Sequence, residues 1–161
     1  MANDAYLKLS GISGVATDSK HTHWIEITSF SFGITGPSDS LVRSTDTNKE
    51  APKPDDISIS KKVDKTSPSL ASAACDPTKI FPTATIALCG RSGSKVLTAS
   101  IGGLPRYMEY ELKQVCVKSY NISGGSGYAT ESLTLGFTEI TWKYTDGNIS
   151  GTWKHTDNKI S

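Results

Sequence analysis

Three long segments of this chain carry alternating apolar side chains whose phase changes midway. In the first, Ile25 and Ile27 occupy odd positions, whereas Phe30 and Phe32 occupy even ones. In the second, Met108, Tyr110 and Leu112 give way to Val115 and Val117. In the third, Leu133, Leu135 and Phe137 give way to Ile140, Trp142 and Tyr144. Side chains on a strand point alternately to opposite faces, so a phase change needs a bulge or a strand buried on each face along part of its length. Two readings are compatible with this. Bulges can turn the corners of a small closed barrel, or the outer face of a long strand can meet a neighbouring subunit.

The rest of the chain is also read as β. Runs rich in β-branched and aromatic residues, bounded by Gly, Ser, Asn, Asp or Pro, predict strands over residues 5–9, 23–34, 57–63, 84–89, 95–100, 107–122 and 130–144, with a weak last one over 151–155. A single helix is predicted over Ser67–Cys75. Ser67 suits its N-cap, Pro68 its first position, and Asp76-Pro77 stops it. The fold class is therefore mainly β: a small closed or nearly closed β-barrel of two packed sheets, with one short helix plugging or capping it. The 161 residues suffice for one domain spanning 1–161.

Residues 36–56 form a polar stretch with Pro37, Pro52 and Pro54, whose apolar content is almost confined to Leu41 and Val42. It is longer than ordinary connections and reads as an extended loop. Residues 90–93 read as a turn, and residues 146–161 as a polar tail with Trp153 and Ile160 as docking residues.

Acidic and basic residues nearly balance. Seventeen basic residues against 16 acidic ones leave a net charge of +1, with no basic stripe for a nucleic acid. Lys61, Lys62 and Lys65 read as a solvated surface patch. The N-terminus lacks the pattern of a secretory leader, and no apolar run is long enough to insert into a bilayer. Cys75, Cys89 and Cys116 are an odd number with wide spacing, so free thiols are expected, the last two as small hydrophobes.

Residues that could carry chemistry are few and scattered. His21 and His23 share a strand face, but two ligands are too few for a metal, and Asp18 is placed to hydrogen-bond His21 in a structural turn. No Ser or Cys is set credibly beside a His and an acid, and pairing Cys116 with His21 has nothing to favour it. Glu109 and Glu111 share a strand face, where paired acids could serve glycoside hydrolysis but read as a solvated or salt-bridging face. The glycine-rich segments GRSGSK (90–95) and ISGGSG (122–127) lack phosphate-loop spacing and read as hairpin turns. The aromatics Trp24, Phe30, Phe32, Trp142 and Tyr144 lack a surrounding basic cluster and suit core packing or an interface. Catalytic residues, metals and cofactors are accordingly expected to be none.

Five runs in order carry a resemblance: GVATDSKHTHWIEI (14–27), SFSFG (29–33), VDKTSPSL (63–70), VCVKSYNISGG (115–125) and ESLTLGFTEITWKY (131–144). Together they resemble the Hcp family, the haemolysin-coregulated tube proteins of bacterial type VI secretion. The resemblance implies a β-barrel subunit that forms hexameric rings, which stack into a tube within a contractile sheath, tipped by a spike. Its partners would be copies of itself, spike and sheath proteins, and small effector proteins held in the ring lumen. No chemical step, nucleic acid or direct membrane insertion is implied. The protein would assemble in the cytoplasm and then be secreted or delivered into a target cell without a Sec signal.

With Phe30 and Phe32 in the core, Ser29 and Ser31 would face a water-filled lumen. Pro37, Leu41, Val42, Arg43 and Pro54 of the long loop, with Ile140, Trp142 and Tyr144, would make subunit or ring-stacking contacts. Alternatives are an Hcp-type effector carrier and an unrelated small-ligand-binding β-barrel module. The short stretch after Tyr144 leaves no space for an appended toxin domain.

Overall fold

The computed structural model describes residues 4–18, 20–34, 54–90, 106–145, 148–154 and 159–160. Within them the elements are β1 (Asp4–Leu9), β2 (Ile25–Ile27), β3 (Ser29–Ser31), β4 (Ile57–Lys62), α1 (Ser67–Cys75), β5 (Phe81–Cys89), β6 (Arg106–Ser123), β7 (Thr130–Gly136), β8 (Glu139–Tyr144), β9 (Ile149–Lys154) and β10 (Lys159–Ile160). All strand pairs are antiparallel. One sheet runs β10-β9-β8-β6-β5-β1-β2; the other runs β3-β4-β7 and joins the first through β6. The result is a nearly closed barrel of two packed sheets.

Each phase change marks the place where the chain passes from one sheet to the other. Between β2, paired with β1, and β3, paired with β4, stands Thr28, whose amide and hydroxyl both donate to Ser60 O at 2.8 and 2.9 Å. In β6, residues up to Val115 pair with β5, and those from Cys116 onward with β7. Gln114, at the crossing, takes a left-handed backbone (φ 51°). The predicted strand over 130–144 is two strands, β7 and β8, because the chain turns the corner at Phe137–Thr138, where the Thr138 amide donates to Lys113 O. A strand that changes sheets must present its other face to the same core, which is why the apolar phase flips.

That core is built from inward positions of both sheets: Leu7, Leu9, Ile25, Ile57, Ile59, Ile86, Leu112, Leu133, Leu135 and Ile140 are all at or below 1% exposure. α1 turns Leu70 and Ala73 into the same core against β6. Its bounds are those predicted, but its N-cap is Thr66, without a side-chain capping bond. The Ser67 hydroxyl accepts from the Asp64 amide and donates to Glu131 instead.

The predicted polar tail holds strand β9, and Trp153 is part of the core, edge-on to Phe137. The strand predicted over 95–100 and most of the loop over 36–56 lie outside the described residues.

Candidate functional site

On the outer side of the β3-β4-β7 sheet the alternation of these strands produces two uncharged rows, flanked by Lys62 at one end and the Lys118–Asp56 pair at the other. Ser29 stands opposite Ser60, which stands opposite Ser132, and Ser132 opposite Asn121 of β6. In the next row Ser31, Ser58, Thr134 and Ser119 are aligned in the same way. Ser29, Ser31, Ser58, Ser132 and Asn121 are exposed. Ser119 donates to Thr134 Oγ1 at 2.8 Å. Eight small hydroxyl or amide side chains thus cover four strands with neither charge nor apolar surface, and the two serines singled out from the sequence form one edge of this face. Four of the other six were legible in the I-S-I-S and E-S-L-T-L alternations of β4 and β7, and Ser119 and Asn121 come from β6.

Other sequence-predicted contact residues are placed differently. Phe30 and Phe32 pack inward against Tyr110, with ring centroids 5.6 and 5.8 Å away, and Phe32 against Trp142. Trp142 is therefore half-buried on the core side. Ile140 is fully buried in the subunit's own core, where it pairs with Leu112 and Trp153; it has no surface to offer a neighbour. Pro54 is also buried and bridges to Ile34. Tyr144 is 37% exposed at the end of β8. Pro37, Leu41, Val42 and Arg43 lie outside the described residues.

Two polar networks brace this scaffold. In the first, Lys61 is completely buried, contrary to the surface patch read from the sequence; Lys62 and Lys65 are exposed. Lys61 continues the inward row of Ile57 and Ile59, and Glu131 that of Leu133 and Leu135, so the two are facing pairs in one register. The Lys61 ammonium donates to Glu131 Oε1, Asp64 Oδ1 and Lys62 O. Glu131 also accepts from the hydroxyls of Ser67 and Tyr120. Burial, with the bond to Glu131, pushes the Tyr120 phenol up to about 12. Burial works against ionisation of Asp64, yet the Thr66 hydroxyl and amide and the Lys61 ammonium outweigh it and hold that carboxyl below its usual range. A buried charge is tolerated only when paired and fully hydrogen-bonded, and this one is.

The second network lies on the outer face of the other sheet, where Ala16 and Trp24, within residues 14–18 and 20–24, pack against Tyr6, Ala87 and Cys89. Amide bonds from Gly14 to His23 O, Ala16 to Trp24 O and His23 to Ala16 O hold this loop together. A side chain at Gly14 would place its Cβ 2.1 Å from the Trp24 carbonyl oxygen, so only glycine fits. His21 is fully buried, stacked on Tyr6 at 4.7 Å and edge-on to Trp24. Its Nδ1 lies 2.6 Å from Asp18 Oδ2, the turn expected from the sequence. Its Nε2 lies 3.0 Å from an Arg106 Nη2.

Cys89 Sγ comes within 3.6 Å of His21 Nε2, so a thiol, an imidazole and a carboxylate meet here, and the thiol beside the histidine is Cys89 rather than Cys116. The geometry is not that of an activated nucleophile. The sulfur is also 4.0 Å from Nδ1, so it lies against the ring rather than along the Nε2 lone pair, which Arg106 already occupies. Burial pushes the thiol up to about 11, with Arg106 only partly offsetting it. Reactive cysteines have low pKa values and solvent access; this one has neither.

The motifs that carried the resemblance meet in these two networks: Asp18, His21 and Trp24 in one, Asp64, Ser67, Tyr120 and Glu131 in the other. Glu109 and Glu111 bind Arg106 and Lys143 across the outer face, as their shared side implied. No helix among the described residues is long and apolar enough to cross a membrane.

Comparison with known proteins agrees with this anatomy. Residues 6–144 match the profile of the family described as type VI secretion system effector, Hcp. A solved type six secretion system protein is 27% identical, with a TM-score of 0.79 over 99% of this chain and all of its own. Hcp1 from Salmonella typhimurium is 23% identical (TM-score 0.76, 99% of this chain and 100% of that one), and Hcp2 from the same organism 22% (0.70, 97% and 98%). A comparison with curated protein sequences returned no match. With the family profile covering most of its length, the chain belongs to the Hcp family and is a structural subunit of the type VI secretion tube.

Proposed function

We propose that this chain acts as a single domain that closes into homo-hexameric rings, which stack and are expelled together with effectors carried in the lumen. The observation that carries this reading is the hydroxyl-lined face around Ser29 and Ser31. These eight small neutral polar groups stay hydrated and offer no apolar patch to hold a passing polypeptide, and the fixed charges of Lys62, Lys118 and Asp56 stand at the rim of the two rows. It suits the wall of a water-filled conduit, and we assign it to the lumen. Tyr144 and the long loop with Pro37, Leu41, Val42 and Arg43 are assigned to contacts between subunits or rings. Spike and sheath proteins are the further partners, and the protein leaves the cytoplasm with the tube. The tube domain performs no chemical step of its own; the one thiol beside a histidine is sealed and protonated.

A small-ligand barrel would bind between its sheets, whereas among the described residues that space is filled by Leu7, Ile86, Leu112, Leu133 and Ile140, and the cavity of about 600 Å³ beside Asp4, Glu26, Lys62 and Tyr128 lies apart from these core residues. The deciding experiment is light scattering on the purified protein. Six chains of 17.2 kDa give a particle of about 100 kDa. A monomer at high concentration overturns the ring.

A further inference from the structure

Arg106 begins β6 and spans two structural units. Its Nη1 donates to Glu109 at 2.6 Å, its guanidinium lies over the Trp24 ring at 5.0 Å, and its Nη2 reaches His21 Nε2 at 3.0 Å. Thr145 ties the Arg106 carbonyl from the far side. The residue therefore fastens the loop of residues 14–24 to the longest strand.

A guanidinium has only donors. The 3.0 Å contact to Nε2 is a hydrogen bond when that nitrogen presents a lone pair, the arrangement of a ring whose one proton is on Nδ1, toward Asp18. A second proton on the ring would set an N–H against an N–H at 3.0 Å, between two cations. Asp18, on the other side, would hold the charged ring as well as the neutral one or better. The charged and titratable groups around the imidazole are Asp18 and Lys20 on its own loop, Tyr6, Asp4 and Lys8 (over Trp24) on β1, Cys89 on β5, and Arg106 with Glu109 on β6. Among the described residues, only Arg106 places a cation on Nε2.

We infer that the His21–Arg106 contact is a proton-gated latch: it is closed while the imidazole is neutral and opens when the ring takes up a second proton, with the Asp18–His21 pair retained. Opening releases Nη2 from His21, leaving Arg106 on Glu109 and over Trp24, and loosens the loop from the start of β6 while the barrel core stays in place. The latch lies apart from the hydroxyl face and stands whether or not the chain forms rings.

Nuclear magnetic resonance on the full-length protein tests it, with ring nitrogen shifts reporting the protonation of His21 and amide exchange reporting the loop. At pH 7 the ring carries its single proton on Nδ1. As the signals convert to imidazolium, protection of the Ala16 and Trp24 amides falls about tenfold, the scale of one charged hydrogen bond, while the core amides of Ile86 and Leu112 keep theirs. In Arg106→Gln, whose amide oxygen can turn toward a protonated Nε2, loop protection no longer follows the ring. A proton on Nε2 at pH 7 overturns the inference, as does loop protection that stays level through the His21 transition. So does a pH step that persists in the variant. Should the variant fail to fold, the two wild-type readings decide alone.

Discussion

Lys61 on β4 and Glu131 on β7 face each other directly across the sheet, with both side chains wholly removed from water. Removing one partner strands the other charge. Lys61→Met leaves the Glu131 carboxylate with only the Ser67 and Tyr120 hydroxyls and is expected to cost about 3–5 kcal/mol in urea unfolding. The double variant Lys61→Met, Glu131→Leu should lose far less than the sum of the two single changes. A sum that is additive would mean that the charges do not interact.

Gly14→Ala tests the outer loop. The added carbon would meet backbone atoms of Trp24 and Ile25 at 2.1–2.6 Å, and backbone cannot step aside as a flexible side chain can. The expected result is a loss of about 2–4 kcal/mol with altered Trp24 fluorescence, while circular dichroism still reports the barrel. Gly125, whose added carbon would meet nothing within 4 Å, should accept alanine with a change of about 0.5 kcal/mol or less.

Alkaline pH should unfasten both polar networks. Tyr6 is raised to about 12 by burial and by Asp4, and Tyr120 to about 12 by burial and by Glu131. The folded state holds these phenolic protons more tightly than the unfolded chain does. Their contribution is therefore complete below the ordinary value of 10.0 and is lost as pH rises toward about 12. Unfolding midpoints measured across this range should fall, and Tyr120→Phe should flatten part of the decline.

Thiol labelling should separate the three cysteines by position. Cys75, exposed at the end of α1, should react at once with a thiol reagent, and the half-buried Cys116 more slowly. Cys89 should react only when the protein unfolds. A native protein that yields three rapid equivalents would contradict the packing of Ala16 and Trp24 over the sheet.

Much of this architecture is legible in residue order alone, because the same alternation sets both strand faces and sheet crossings. The phase changes at Thr28, Gln114 and Phe137 mark the corners, and Ser67–Cys75 is the helix. The pattern misleads where a residue's type opposes its position. Lys61 shares the inward row of Ile57 and Ile59, yet lysine suggests water, and its partner lies 70 residues away on another strand. Pairing at that separation is a property of register between strands, which no local pattern contains. Trp153 is legible as a docking residue of the tail, but its partners Phe137 and Ile140 across the fold are not, because they too are set by register between strands.

β6 runs for 18 residues and belongs to both sheets. The two layers of the domain are thus joined by an unbroken run of peptide bonds as well as by side chains packed between them. A push on one layer reaches the other along covalent backbone, and sliding one layer over the other would mean stripping β6 from β5, β7 or β8. A subunit built this way moves as one solid piece under load, because no seam between its layers is free of continuous backbone.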